Sequence, residues 1–140
     1  MPRSNRDHHW GVILAGGDGE RLRPLTRMLS GDDRPKQFCA LLAGGRTLVQ
    51  QTQARITQSI APSRMVVVLT SQHEPFFADQ FAHVPPERLA IQPYNRGTFA
   101  AILFGLSRVI RHDPDAVVGF FPADHHYIHE IGRASCRERV

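Results

Sequence analysis

Gly16, Gly17 and Gly19 break an apolar run, Arg21 follows within the same stretch, and Arg34-Pro35-Lys36-Gln37-Phe38 brings a second set of cations a short way downstream. Glycines lack a Cβ, so such a loop can adopt positive φ and let an anion approach the main chain. Arg21 adds a planar fork that holds phosphate oxygens at two points, and Lys36 adds a mobile point charge. The chemistry these types serve together is the grip of a phosphate chain. Asp124 stands just past another apolar run, in Phe121-Pro122-Ala123-Asp124-His125. A carboxylate so placed suits Mg2+, which takes oxygen ligands and bridges phosphates; the lesser alternative is the cap of a following helix.

Two common phosphate loops are excluded by spacing. The dinucleotide fingerprint needs a third glycine where this chain has Leu22, and the P-loop needs Gly-Lys-Ser/Thr, which does not follow Gly19. With 140 residues, 41% of them hydrophobic and 21% charged, the chain suits one soluble unit large enough to bury a core. A net charge of +4 invites a nucleic-acid reading. The cations are scattered or sit where a nucleotide's phosphates would need them, so nucleic acid is not the expected partner. Cys39 and Cys136 fit neither a disulfide framework nor a zinc site, and the His125-His126 pair with His129 lacks partner cysteines or a His-Glu-x-x-His helix. Residues 1–9 are polar, without the apolar core of a signal peptide, and no run reaches membrane-spanning length. A cytoplasmic protein with no membrane association is expected.

The elements that must position these residues alternate. Residues 10–15 read as a buried strand delivering the glycine loop, and residues 30–33 as a flexible loop before Lys36. Residues 47–60 have helical spacing with Thr47 as N-cap, and residues 64–70 contain Met65-Val66-Val67-Val68-Leu69, a second buried strand. Residues 73–81 read as a short helix turning Phe76, Phe77 and Phe81 to the core. Residues 89–91 form a third strand and deliver Gln92-Pro93-Tyr94-Asn95-Arg96-Gly97-Thr98 at its end. A helix over 98–110 and a fourth strand over 116–121 follow. Strands alternating with helices predict an α/β fold: a Rossmann-like, doubly wound, mostly parallel sheet with helices on both faces and every candidate residue at a strand's carboxyl end. By this reading residues 1–9 are a disordered leader and 10–129 an incomplete nucleotide-binding domain. Residues 130–140 have neither periodicity and read as a non-native tail, encodable by a common sequencing adapter.

The pattern Gly17-x-Gly19-x-Arg21-Leu22-x-Pro24-Leu25-Thr26 followed by Pro35-Lys36 resembles the signature of the sugar-1-phosphate nucleotidyltransferases, and the extended Arg34-Pro35-Lys36-Gln37-Phe38 resembles their mannose-1-phosphate guanylyltransferase branch. The resemblance covers about residues 12–127. It implies GTP and mannose 1-phosphate as substrates, Mg2+ as cofactor, and GDP-mannose and pyrophosphate as products. It also implies that Leu14, Ala15, Gly16, Gly17 and Gly19 bind the nucleotide, that Arg21 contacts the leaving pyrophosphate, that Lys36 neutralises phosphate charge, and that Asp124 ligates the metal. Gln92, Arg96, Gly97 and Thr98 match the family's Gln-Pro-x-x-Arg-Gly-Thr segment, whose glutamine reads the nucleobase edge through a paired donor and acceptor. On its own residues that segment serves as well as a strand-to-helix turn with Thr98 as N-cap. Asp18 and Glu20 are expected to shape the loop or lie exposed, and Gln37 to pack or cap. The family's later segments, which carry a second metal-binding aspartate and the sugar pocket, are missing, so the fragment is expected not to turn over. A homo-oligomer is an open expectation for the full-length protein. The alternatives are a cytidylyltransferase of the same fold, against which the stretch 22–34 and the segment 92–98 argue, and a non-catalytic nucleotide-binding domain.

Overall fold

In a computed structural model, which describes residues 5–41 and 44–125, β1 (His9–Leu14) runs between β2 (Met65–Thr70) and β4 (Val117–Pro122), with β3 (Leu89–Gln92) beyond β2. All three pairings are parallel, and Ile13 sits opposite Val67 on one side and Phe121 on the other. β2 is buried along its whole length, which is why its sequence is an unbroken apolar run rather than an alternating one. The outer edge of β4 pairs with no strand among the described residues.

The helices are α1 (Arg23–Ser30), α2 (Leu48–Ile56), α3 (Glu74–Phe77) and α4 (Thr98–His112). Successive strand residues point to opposite faces, so Ile13, Val67 and Leu69 join Phe38, Val49, Ile56, Phe77 and Phe81 in one core. Val12, Val66 and Val68 join Ala90, Ala101 and Val109 in the other. The chain steps outward from β1 to β2 to β3 and then doubles back to β4. Right-handed crossovers put the helices of the two directions on opposite faces, so α2 and α4 flank the sheet as the sequence predicts. Where the direction reverses, between β1 and β4, the carboxyl ends of the strands open a crevice.

The elements depart from expectation in several places. α2 begins at the expected cap, where Thr47 Oγ1 accepts from the Gln50 amide at 3.3 Å and Gln50 Oε1 accepts from the Thr47 amide at 2.9 Å. It ends at Ile56 rather than at 60. The helix expected over 73–81 contracts to α3, preceded by a 3-10 turn at Ser71–His73, yet Phe77 and Phe81 still meet edge-on at 6.3 Å. Residues 23–30, for which no helix was expected, form α1, with Pro24 at its start and Gly31 closing it at φ 76°. The supposedly flexible residues after it are tied down: Arg27 pairs with Asp33, and Arg34 grips Asp32 with two bonds of 2.8 and 2.7 Å. The expected disordered leader is structured from its fifth residue. Asn5–His8 is a 3-10 turn, and His8 Nδ1 lies 2.9 Å from Asp113 Oδ2, which also accepts from the Trp10 indole at 3.2 Å. Desolvation works to raise the Asp113 carboxyl, but the bonds from His8 and Trp10 outweigh it and hold its pKa below the ordinary value. Residues 1–4 and the expected tail at 130–140, with His126 and His129, lie outside the described residues. Among the described residues no helix is long and apolar enough to cross a membrane.

α4 lies unusually close to the sheet. A Cβ on Gly105 would stand 2.6 Å from Val12 Cγ1 and 3.0 Å from Val68 Cγ2, both on fully buried side chains. Gly105→Ala therefore costs about 1–3 kcal/mol in overpacking, against roughly 1 kcal/mol regained in helix propensity. A lower denaturant midpoint is expected by urea titration, and an unchanged or higher midpoint would show that the contact is not tight.

Candidate active site

The crevice at the β1/β4 switch is a cleft of about 330 Å3. Its lining comes from four places: Leu14, Gly16, Gly17 and Gly19 after β1; Lys36 and Gln37; Gln92, Asn95, Gly97, Thr98 and Ala101 around the start of α4; and Pro122, Ala123 and Asp124 after β4.

The glycine loop is held by its carbonyls. Buried Gln37 donates from Nε2 to Ala15 O at 3.0 Å and to Gly17 O at 2.7 Å, while Thr70 Oγ1 donates to Gly16 O at 2.8 Å. In a trans peptide the next N–H points opposite to the carbonyl, so these three bonds set the directions of the amides that follow. Of the three glycines that free the loop to adopt positive φ, Gly19 alone does so, at 63°. Gly16 is required for a different reason: a Cβ there would meet Thr70 Oγ1 at 2.9 Å and Gln92 Nε2 at 3.0 Å. Nothing lies within 4 Å of a Cβ built on Gly17.

Asp18 joins this loop to its neighbours. Its Oδ1 accepts from Gln72 Nε2 at 2.8 Å and lies 3.3 Å from His73 Nε2, and its Oδ2 accepts from Asn95 Nδ2 at 3.1 Å. Asn95 Oδ1 in turn accepts the Gly97 amide at 2.9 Å, bending the chain into α4. Gly97, at φ 90° and ψ 174°, occupies the N-cap position, which corrects the reading of Thr98 as the cap. That backbone region is open essentially to glycine alone.

Across the cleft, Lys36 Nζ sits 2.5 Å from Asp124 Oδ2, each side chain about one-third exposed. Asp124 is held in place by Ala123, whose amide donates to Leu14 O at 3.2 Å and so extends the β1/β4 pairing. Partial burial raises the Asp124 carboxyl, but the bond and charge of Lys36 outweigh it and leave the pKa below the ordinary value. Asp124 is thus an anion at neutral pH. One such carboxylate beside a phosphate-sized space matches the way Mg2+ is held, by one or two carboxylates with the substrate's phosphates completing the shell. The reading of Asp124 as a helix cap turns on residues after 125, outside the described ones.

Of the residues singled out in the sequence, the cleft gathers Leu14, Gly16, Gly17, Gly19, Lys36, Gln92, Gly97, Thr98 and Asp124. Three stand outside its lining. Ala15 is buried beneath the loop, its amide donating to Val68 O at 2.9 Å. Arg21 is exposed on the 3-10 turn Glu20–Leu22, so the expected convergence of Arg21 and Lys36 on one cleft is met by Lys36 only. Arg96 turns back over the Tyr94 ring, with its guanidinium carbon 4.6 Å from the centroid, and donates to the Tyr94 hydroxyl. Gln92 lines the cleft but is 5% exposed, and its buried Nε2 has no hydrogen-bond partner. A buried amide left with an unused donor is expensive, and a ligand edge offering an acceptor would relieve it.

Sequence reasoning undervalued Gln37, Asn95 and Asp18 and passed over Thr70. Gln37 and Asn95 lie inside the two quoted motifs, so their polar side chains were a usable signal. Thr70, Gln72 and His73 carry none until the strands are aligned.

The two glycines should separate on mutation. Gly16→Ala forces Thr70 and Gln92 apart and is expected to lower stability by about 1–3 kcal/mol, whereas Gly17→Ala stays within roughly 0.5 kcal/mol of the parent. Paired thermal melts read the difference; equal loss in both variants would contradict the geometry described for Gly16.

Comparison with known proteins agrees with this geometry. The family described as Nucleotidyl transferase matches residues 10–137. The chain is 35% identical over 116 residues to the alginate biosynthesis protein AlgA of Pseudomonas syringae pv. tomato, covering 81% of this chain and 23% of that protein. It is 34% identical over 118 residues to the mannose-1-phosphate guanylyltransferase of Escherichia coli K12, with the same coverage of 81% and 23%. Among solved structures it resembles a protein of Thermus thermophilus described as a mannose-1-phosphate geranyltransferase, with TM-score 0.73, 28% identity, and coverage of 94% of this chain and 37% of that one. The chain spans about a quarter of the length of these curated relatives. Sheet order, cleft and sequence together place the chain in the nucleotidyl transferase family.

Proposed function

We propose that this chain is the nucleotide-binding part of an enzyme that transfers a guanylyl group from GTP to mannose 1-phosphate, giving GDP-mannose and pyrophosphate. The observation that carries the reading is the meeting, in one cleft, of the glycine loop, Lys36, the unsatisfied Gln92 amide and Asp124. Relatives named for GDP-mannose chemistry and alginate synthesis support the choice of nucleotide and sugar.

In the proposed reaction a phosphate oxygen of mannose 1-phosphate attacks the α-phosphorus of GTP. The bond from that phosphorus to the bridging oxygen of the β-phosphate breaks, and pyrophosphate departs with the electron pair. The attacking oxygen is already anionic, so no general base is needed. The residues supply alignment and charge neutralisation. Leu14, Ala15 and the amides of Gly16, Gly17 and Gly19 would seat the nucleotide, and Gln92, with the Gly97–Thr98 turn beside it, would take the base. Lys36 would leave Asp124 for the phosphates, and Arg21, exposed after the loop, would reach the departing pyrophosphate. Arg96 belongs to this set only by its place in the segment, since its side chain is engaged with Tyr94. Mg2+, when bound, would supply positive charge to the triphosphate, with Asp124 as its protein ligand. The reaction is assigned to the cytoplasm, and the chain alone is proposed to bind nucleotide without turning it over.

The test is pyrophosphate release with mannose 1-phosphate and either GTP or CTP, on a polypeptide extended to the length of the relatives. GTP-dependent release is expected, reduced about a hundredfold or more by Lys36→Ala, as for loss of a charge contact to a transition state. Preference for CTP, or no release at saturating Mg2+, would overturn the reading.

A further inference from the structure

Asp18 has no part in the reaction proposed above, and its negative charge stands in a loop meant for phosphates, where charge alone makes it unfavourable. Yet its carboxylate is the meeting point of side chains from two other segments: Gln72 and His73 from the turn after β2, and Asn95 from the segment after β3. His73 is buried, and its Nε2 lies 3.3 Å from Asp18 Oδ1. Asn95 passes the connection on, since its Oδ1 holds the amide of Gly97.

We infer that Asp18 is a positioning residue: through Gln72, His73 and Asn95 it fixes the spacing between the glycine loop and the segment 92–98, and with it the slot that receives the nucleoside. What enters the slot rests on the nucleotide-transfer reading; the coupling of the two loops rests on the hydrogen bonds alone. Donors arrive at both carboxylate oxygens, so an amide in this place must turn its NH2 toward at least one of them. Asp18→Asn therefore breaks the junction whichever way the amide is turned, while removing a negative charge from the phosphate loop.

The two effects have opposite signs, which makes the experiment decisive. Titration of the chain with Mg·GTP is expected to show about tenfold weaker binding in Asp18→Asn than in the parent, because the slot is no longer preorganised. If Asp18 acted only as a charge, binding would tighten. Amide exchange at Gly97, followed by NMR in the free protein, is expected to quicken in Asp18→Asn and in Asn95→Ala, with the double variant no faster than the quicker single one. Unchanged or tighter GTP binding, or unchanged exchange at Gly97, overturns the inference. Should the parent chain fail to bind GTP, the transfer reading falls, and exchange at Gly97 alone then decides the coupling.

Discussion

The structure depends on how the chain leaves β1. This strand is paired on both sides and buried on both faces, so its carboxyl end must release a loop whose polar backbone has no solvent beneath it. Gln37 and Thr70 solve that problem from opposite sides by taking the carbonyls of Ala15, Gly16 and Gly17. The loop thus keeps one shape without ligand, and a loop already in shape binds an anion without first losing conformational entropy. The close contact of Gly16 with Thr70 and Gln92 belongs to the same solution, because it brings the Gln92 amide directly under the loop.

Charge in the cleft is balanced by a bond that ligands would have to exchange. Lys36 and Asp124 neutralise one another at 2.5 Å, and each is the natural partner of one half of a metal–nucleotide complex: the cation for phosphate, the carboxylate for a divalent ion. Neither charge is fully desolvated, which limits the cost of parting them. Under the proposed function a triphosphate arriving with its metal would replace both sides of the pair at once, whereas either alone would leave one charge without its partner.

Much of this was legible in the chain. Unbroken apolar runs at Val66-Val67-Val68 and at Val12-Ile13 announced buried parallel strands, and Thr47 announced the start of α2. The glycine loop, Gln92 and Asp124 could be placed at strand ends from the motifs, and they share a cleft with Lys36, which comes instead from a 3-10 turn after α1. What could not be read is what only three-dimensional neighbours decide. α1 was hidden because its single buried side chain is Thr26, so it shows no apolar stripe turned to the core. The bond of His8 to Asp113 joins residues far apart in sequence, and a polar leader gives no sign of it. The convergence on Asp18 needs the ends of β1, β2 and β3 in register before Gln72, His73 and Asn95 become neighbours. Arg21 shows the converse: a motif position marks a residue type, not the direction in which the side chain points.

The most direct test of the account is the pattern of backbone amide shifts when Mg·GTP is titrated into the isotopically labelled chain. The account predicts shifts concentrated at Gly16, Gly17, Gly19, Lys36, Gln92, Gly97 and Asp124, the ring of residues around the β1/β4 cleft. Shifts scattered over the surface, or confined to the far ends of the strands, would contradict it.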